Sequence, residues 1–271
     1  MNPFPDSVPE REGFLIVHMT DLHVSSQAPE SWKSTPLHHK VILGGYKLHR
    51  INHYYNKEML HRAVNLINDR INPELVVISG DLADSRSDKA AYEYVHQELQ
   101  SLSTDYSVVL GDHDLSPDQN KAWAEKWFSR GPNLQETGSF RIIELPPYPT
   151  KKDVAWLKRK LDQDSDKKII INQHRMLKAP PLMNLLSKIY VPSILSPKNK
   201  EILELIESHP HIRLVLTGHS HTNYTTRKNG KVFITTSSLA EYPFEIRLIW
   251  ITEEGIESSI YSVFSQRSDI P

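Results

Sequence analysis

The sequence contains no cysteine. Disulfides and thiolate catalysis are therefore excluded, and any bound metal must take oxygen and nitrogen ligands. Net charge is equally scarce: 32 Lys and Arg stand against 33 Asp and Glu. Such a balance leaves no global field to draw in nucleic acid or an anionic membrane. No apolar run approaches the roughly 18 residues that cross a bilayer. The opening residues carry neither the basic nor the apolar region of a signal peptide. No internal repeat or low-complexity tract is present. A soluble, cytoplasmic protein with no membrane partner is the expectation, and a homo-oligomer is left open. At 271 residues and 38% hydrophobic content, the chain can form one large domain with a sizeable core.

Residues 14–19 form a continuous apolar run, the pattern of a strand buried on both faces. Runs at 75–78, 106–110, 139–145, 168–172 and 212–217 read the same way. Helical spacing of Leu60, Ala63, Val64, Ile67 and Ile71 predicts a helix over 56–71, with Asn56 as its cap and Pro73 beyond its end. Ala91, Val95, Leu99 and Leu102 share one face of a second helix. Ser116–Gln119 opens a third, with Trp123, Trp127 and Phe128 expected to pack it. Thr150–Asp153 opens a fourth, and Ser196-Pro197 a fifth that runs to Ser208. From 212 onward the chain turns to strands (212–217, 222–227, 231–236, 244–251 and 256–264), read as antiparallel, with a hairpin at Asn229-Gly230. Alternating strands and helices followed by strands predict an α/β fold: a four-layer α/β/β/α sandwich of two mixed sheets flanked by helices. Residues 24–55 break every period and read as a lid-like insertion in a single domain spanning 1–271.

The strands end in a particular chemistry. Val108–Leu110 runs into Gly111 and then Asp112, His113 and Asp114. Other strand ends carry Asp21 and His23, Asp81 and Asp84, His174, and His219 and His221. Parallel strands end on one edge of their sheet, and ligands bind in the crevice outside those carboxyl ends. Asp and His supply donors suited to Mn, Fe or Zn. An aspartate bridging two ions about 3.5–4 Å apart is the usual core of a two-metal hydrolytic site.

The ordered set Asp21-x-His23, Gly80-Asp81-x-x-Asp84, Gly111-Asp112-His113-Asp114, His174 and Gly218-His219-x-His221 resembles the motifs of the calcineurin-like metallophosphoesterase superfamily. Ser238–Arg247 is similar to a strand of its small cyclic-nucleotide-phosphodiesterase-like members. The resemblance covers residues 14 to about 250. It implies two divalent ions: one on Asp21, His23 and His221, the other on Asp112, His174 and His219, with Asp81 bridging. It further implies that His113 stands unligated near the phosphate, donating to developing charge or protonating the leaving group. Asp84 and Asp114 would orient neighbouring groups. The implied reaction is hydrolysis of a small anionic phosphoester, a diester such as a cyclic nucleotide, by a metal-bound hydroxide.

Two positions depart from the family pattern. Asp112 stands where the family has Asn, and its carboxylate takes the formal charge of such a centre from plus one to zero. Gln173-His174-Arg175 replaces His-His-Pro, leaving His174 as the ligand and making Arg175 a candidate clamp for a phosphate or carboxylate. Asp112 also opens alternatives: a metal-binding scaffold without turnover, or an enzyme retuned to non-phosphoester chemistry. Nucleic acid is disfavoured as a substrate, because the chain has no basic stripe. The remaining histidines (His18, His38, His39, His49, His53, His61, His96, His209 and His211) are expected to be surface or packing residues. The basic run Lys40, Lys47 and Arg50 reads as a solvated loop. Leaving-group recognition is expected from the 24–55 insertion and the 175–195 loop.

Overall fold

The computed structural model describes residues 8, 11–27, 41–43, 46–48, 55–115, 123–163, 166–178, 195 and 198–263. The histidines at 38, 39, 49 and 53, Lys40, Arg50, the helix starts at Ser116–Gln119 and Ser196-Pro197, and most of the 175–195 loop lie outside the described residues.

In chain order the strands and helices are β1 (Phe14–Met19), β2 (Val41–Leu43), β3 (Tyr46–Leu48), α1 (Asn56–Leu66), β4 (Leu75–Ser79), α2 (Lys89–Gln100), β5 (Tyr106–Val109), β6 (Asn133–Thr137), β7 (Phe140–Leu145), α3 (Lys151–Leu161), β8 (Lys168–Gln173), α4 (Asn199–Ser208), β9 (Ile212–Thr217), β10 (Tyr224–Lys228), β11 (Lys231–Thr235), β12 (Glu245–Ile251) and β13 (Ile256–Ser262). One sheet has the order β13-β12-β1-β4-β5 and the other β10-β11-β9-β8-β7-β6; β2 and β3 pair as a hairpin. Strands β1, β4 and β5 run parallel, as do β7, β8, β9 and β11. All seven therefore deliver their carboxyl ends to one edge.

Period-two alternation builds the layers. Val17, Met19, Val76 and Ile78 face α1 and α2 in one apolar cluster. Ile16, Leu75, Val77, Ile142, Ile170 and Leu214 face the opposite way and fill the space between the sheets. Ile143, Ile171 and Val215 pack with Leu157 and Leu161 of α3 and Ile202 and Ile206 of α4. Three apolar layers separate four structural layers, the predicted sandwich.

Towards the carboxyl ends the layer between the sheets turns polar. Glu144 Oε1 accepts from Ser107 Oγ at 2.8 Å, so Asn172 Nδ2 donates to Ser107 Oγ at 3.0 Å. Ser79 Oγ donates to Asn172 Oδ1 at 2.7 Å. The hydroxyl proton of Ser79 is thereby committed, so His18 Nε2 must donate to it (2.8 Å) and Nδ1 must accept from Thr236 (2.7 Å). Desolvation and the nearby Arg247 hold His18 far below its usual pKa, at about 3, against an opposing pull from Asp21. Burial raises the Glu144 carboxyl, against hydrogen bonds from Ser107, Asn133 and the Val108 amide that lower it.

Several local expectations are corrected. Asn56 is the first helical residue of α1 rather than its cap, which is Tyr55; its amide instead donates to the carbonyl of His23 at 2.7 Å. The predicted helix 56–71 closes as a π turn over Ile67–Ile71, and Asn72 N bonds Ile67 O before Pro73. Leu102 lies beyond α2. In place of a third helical stretch near 123–128 there is a 3₁₀ turn, Trp123–Lys126, which buries Phe128 but leaves Trp123 40% exposed. β6 escaped the sequence because Asn133–Thr137 has one apolar residue; it is an edge strand whose Asn133 and Gln135 turn inward to Glu144. The last strands are not all antiparallel, since β11 lies parallel to β9. Thr150 and Asp153 form a full capping box, and Asn229-Gly230 turns with both φ positive, as a type I′ hairpin requires.

Candidate metal centre

Every sequence-predicted donor lies at the common edge. Asp81, Asp112, His174 and His219 each offer an atom within 4.8 Å of the others, and so do Asp21, His23 and His221. The His-x-His segment divides between the groups, and Asp-x-His does not. Asp21, His23, Asp81, His219 and His221 all adopt left-handed backbone, with φ between 42° and 67°. Non-glycine residues rarely do so, and the cost of order 1 kcal/mol or more each is borne where function needs the side chain aimed. Glycine clears the space: a Cβ at Gly111 would overlap the Asp81 carboxylate, and one at Gly218 would overlap Thr20 and Asp21.

Each aspartate divides its two oxygens. Asp21 Oδ2 accepts from His219 N at 3.0 Å and from Thr20 Oγ1, while Oδ1 faces His221 Nε2 at 3.2 Å. Asp81 Oδ1 accepts from His113 N at 2.9 Å. Its Oδ2 lies 3.3 Å from His174 Nε2 and 3.7 Å from His23 Nε2. Asp112 Oδ1 is 2.9 Å from both His174 Nε2 and His219 Nδ1, and Oδ2 is 3.5 Å from Arg175 Nη2. The backbone amide bonds to Asp21 and Asp81 leave the other oxygen of each facing the histidines.

The donor spacings fit a cation. Ligands at about 2.1 Å from an ion stand roughly 3.0–3.4 Å from one another in octahedral or tetrahedral geometry. His23 Nε2 and His221 Nε2 are 3.3 Å apart, and His174 Nε2 and His219 Nδ1 are 3.1 Å apart. Such separations are those of a coordination polyhedron's edges. Burial opposes charge on Asp21, Asp81 and Asp112, yet the surrounding histidines hold all three carboxyls well below the usual range. Burial likewise opposes protonation of His174 and His221, and the carboxylates overcome it, lifting His221 to about 10.

The supporting residues are as informative as the donors. His174 Nδ1 lies 2.6 Å from the Ser79 carbonyl, which fixes the ring so that Nε2 faces the site. His221 Nδ1 lies 2.6 Å from Glu241 Oε1. Sequence reasoning gave Glu241 no role, although it sits inside the Ser238–Arg247 stretch that carries the resemblance. That stretch also binds the first strand end: Ser238 Oγ donates to the Asp21 carbonyl, and Leu239 N to the Thr20 carbonyl. His113 is exposed, edge-on to His23 at 4.7 Å, with Nδ1 3.0 Å from the Asp84 carbonyl. Burial lowers its pKa, and Asp81 and the Asp84 carbonyl more than offset that. The Asp84 carboxylate stands 3.7 Å from His23 Nδ1. Asp114 is fully buried and accepts from Leu82 N, Ala83 N, Gly111 N and Tyr92 Oη. Through these bonds it ties together the two loops that carry Asp81 and Asp112.

Buried Asp and His donors at the carboxyl edge of two facing sheets are the construction of a metal-binding α/β enzyme. The profile of the calcineurin-like phosphoesterase family matches residues 14–223, and the chain belongs to that family: it is a metal-dependent phosphoesterase. A Xenorhabdus bovienii protein named a probable cyclic nucleotide phosphodiesterase is 28% identical over 219 residues, 76% of this chain and 78% of its own. A 3′,5′-cyclic-nucleotide phosphodiesterase of a Nostoc species is 25% identical over 189 residues, 65% and 67% of the two chains. In fold, the crystal structure of a dimetal phosphatase from Danio rerio superposes with a TM-score of 0.64 at 16% identity, covering 93% of this chain and 99% of that one. These matches favour the hydrolase over the scaffold reading that Asp112 had opened. No helix among the described residues is long and apolar enough to cross a membrane.

Proposed function

We propose that the chain hydrolyses a small phosphodiester at two divalent cations. Asp21, His23 and His221 would hold one ion, Asp112, His174 and His219 the other, with Asp81 shared. The observation that carries this is the position of Asp81 Oδ2, within 3.3 Å of one histidine cluster and 3.7 Å of the other. Divalent cations held there would supply Lewis acidity to the phosphate and lower the pKa of a nearby water.

The chain's own residues do the rest. Asp84 O accepts from His113 Nδ1–H when that nitrogen carries the proton, turning the ring towards His23. An exposed imidazole with a raised pKa can hold a proton for the leaving alkoxide. Tyr148 and Asp112 hold the Arg175 guanidinium, which balances the carboxylate that replaces the family's amide. A diester rather than a monoester, and a cyclic nucleotide in particular, is supported by what the relatives above are named for.

The test uses protein stripped of metal and reloaded with Mn²⁺, assayed on bis(p-nitrophenyl) phosphate, p-nitrophenyl phosphate and 3′,5′-cyclic AMP. Diester turnover that disappears in Asp81→Asn is expected. Turnover of the monoester alone would refute the diester reading.

A further inference from the structure

A cavity of about 500 Å³ opens beside Asp112. It lies within the range of small-molecule sites. Leu115 and Pro146 give it apolar surface, Tyr148 stands at its wall with 44% of its surface exposed, and Arg86, Arg130 and Lys152 converge on it from three separate segments.

The wall carries three cations, Arg86, Arg130 and Lys152, and two carboxylates, Asp112 and Asp153. Both carboxylates there are committed elsewhere: Asp112 faces His174, His219 and Arg175, and Asp153 closes the capping box on Thr150. The cations are less engaged. Arg86 Nη1 donates to a neutral carbonyl, that of Leu115, at 3.2 Å. Lys152 has no ion-pair partner among the described residues. Arg130 pairs with Glu125 at 3.1 Å on the exposed surface. The wall thus presents Arg86 and Lys152, neither in an ion pair among the described residues, next to an aromatic ring and a metal-donor carboxylate.

We propose that this cavity receives the part of the substrate beyond the scissile diester, and that it takes a second phosphate there, held by Arg86 and Lys152 with the sugar or base against Tyr148. The inference rests on the diesterase reading above and adds the substrate class: a phosphodiester that carries another phosphate. A cyclic mononucleotide would leave both cations unanswered, whereas charge-assisted contacts to phosphate are the strong ones.

The test pairs two chromogenic esters that differ by one group, thymidine 5′-(p-nitrophenyl phosphate) with and without a 3′-phosphate. Wild-type protein loaded with Mn²⁺ should favour the 3′-phosphorylated ester by about tenfold in kcat/KM or more, mainly through KM, the effect of one well-made contact. The ratio should fall towards one in an Arg86→Gln, Lys152→Gln double variant and stay above half its wild-type value in Arg86→Lys. A ratio near one in the wild type, or an unchanged ratio in the double variant, overturns the proposal. Should neither ester turn over, the diesterase reading fails, and the cavity is then judged by calorimetric titration with thymidine 3′,5′-bisphosphate and thymidine 5′-monophosphate. A preference for the bisphosphate that the double variant loses would support the subsite; equal affinities would overturn it.

Discussion

Arg175 holds its Nη2 3.5 Å from Oδ2 of Asp112. The same guanidinium lies 4.4 Å over the Tyr148 ring and donates to its hydroxyl at 2.9 Å, and only 5% of the residue is exposed. Arg175 thus pairs with the Asp112 carboxylate and packs on Tyr148. The guanidinium charge offsets that of the Asp112 carboxylate.

Asp112 and Arg175 should consequently couple. Asp112→Asn alone is expected to weaken metal binding, and Arg175→Gln alone to slow turnover of an anionic diester. The double variant should recover part of both losses, with a coupling energy of about 1–3 kcal/mol. Metal affinity by chelator competition and kcat/KM supply the four corners of the cycle. Additive losses would separate the two residues.

Glu241 sets the orientation of His221 from 2.6 Å. Glu241→Gln keeps the shape but removes the negative charge behind the imidazole, so metal affinity should drop about 10–100-fold, as for other residues that support a metal ligand. Thermal stability without metal should change far less. Metal titrations of the two proteins that superimpose would show that Glu241 does not act through His221.

Gly111 lies against the Asp81 carboxylate, where a Cβ would overlap it. Gly111→Ala should displace Asp81 and cost at least about 100-fold in activity, about 2.7 kcal/mol at the transition state. At Gly131 a Cβ meets nothing within 4 Å, so metal content in Gly131→Ala is the control. Equal metal content in the two alanine variants would contradict this geometry.

His18 gives stability a pH dependence. Its folded pKa, about 3, lies below the unfolded value of 6.5, so the unfolded chain binds the extra proton between those limits. Stability should fall as pH drops from 6.5 towards 3, and at pH 5 this one group costs about 2 kcal/mol relative to pH 7. Urea unfolding at both pH values, with His18→Asn beside wild type, isolates the contribution. The variant should lose less stability over that interval, and parallel profiles would count against a neutral buried His18.

Much of this site was readable before any tertiary contact was known. Asp21, His23, Asp81, Asp112, His174, His219 and His221 close apolar runs, and a strand's end is a one-dimensional property: the run stops and the donors begin. The layers were readable for a similar reason, because alternation along Phe14–Met19 or Leu75–Ser79 follows from the pleat. A polar edge strand such as Asn133–Thr137 carries no such signal, since its identity comes from Glu144 on the neighbouring strand. The same holds for Asn56, whose amide serves a carbonyl 33 residues away. Which donors group together, why Asp81 faces both clusters, and where Arg175 and Glu241 point were decided only in three dimensions. Those choices depend on left-handed backbone at five donors and on contacts across the two sheets, and neither leaves a period or a spacing in the chain.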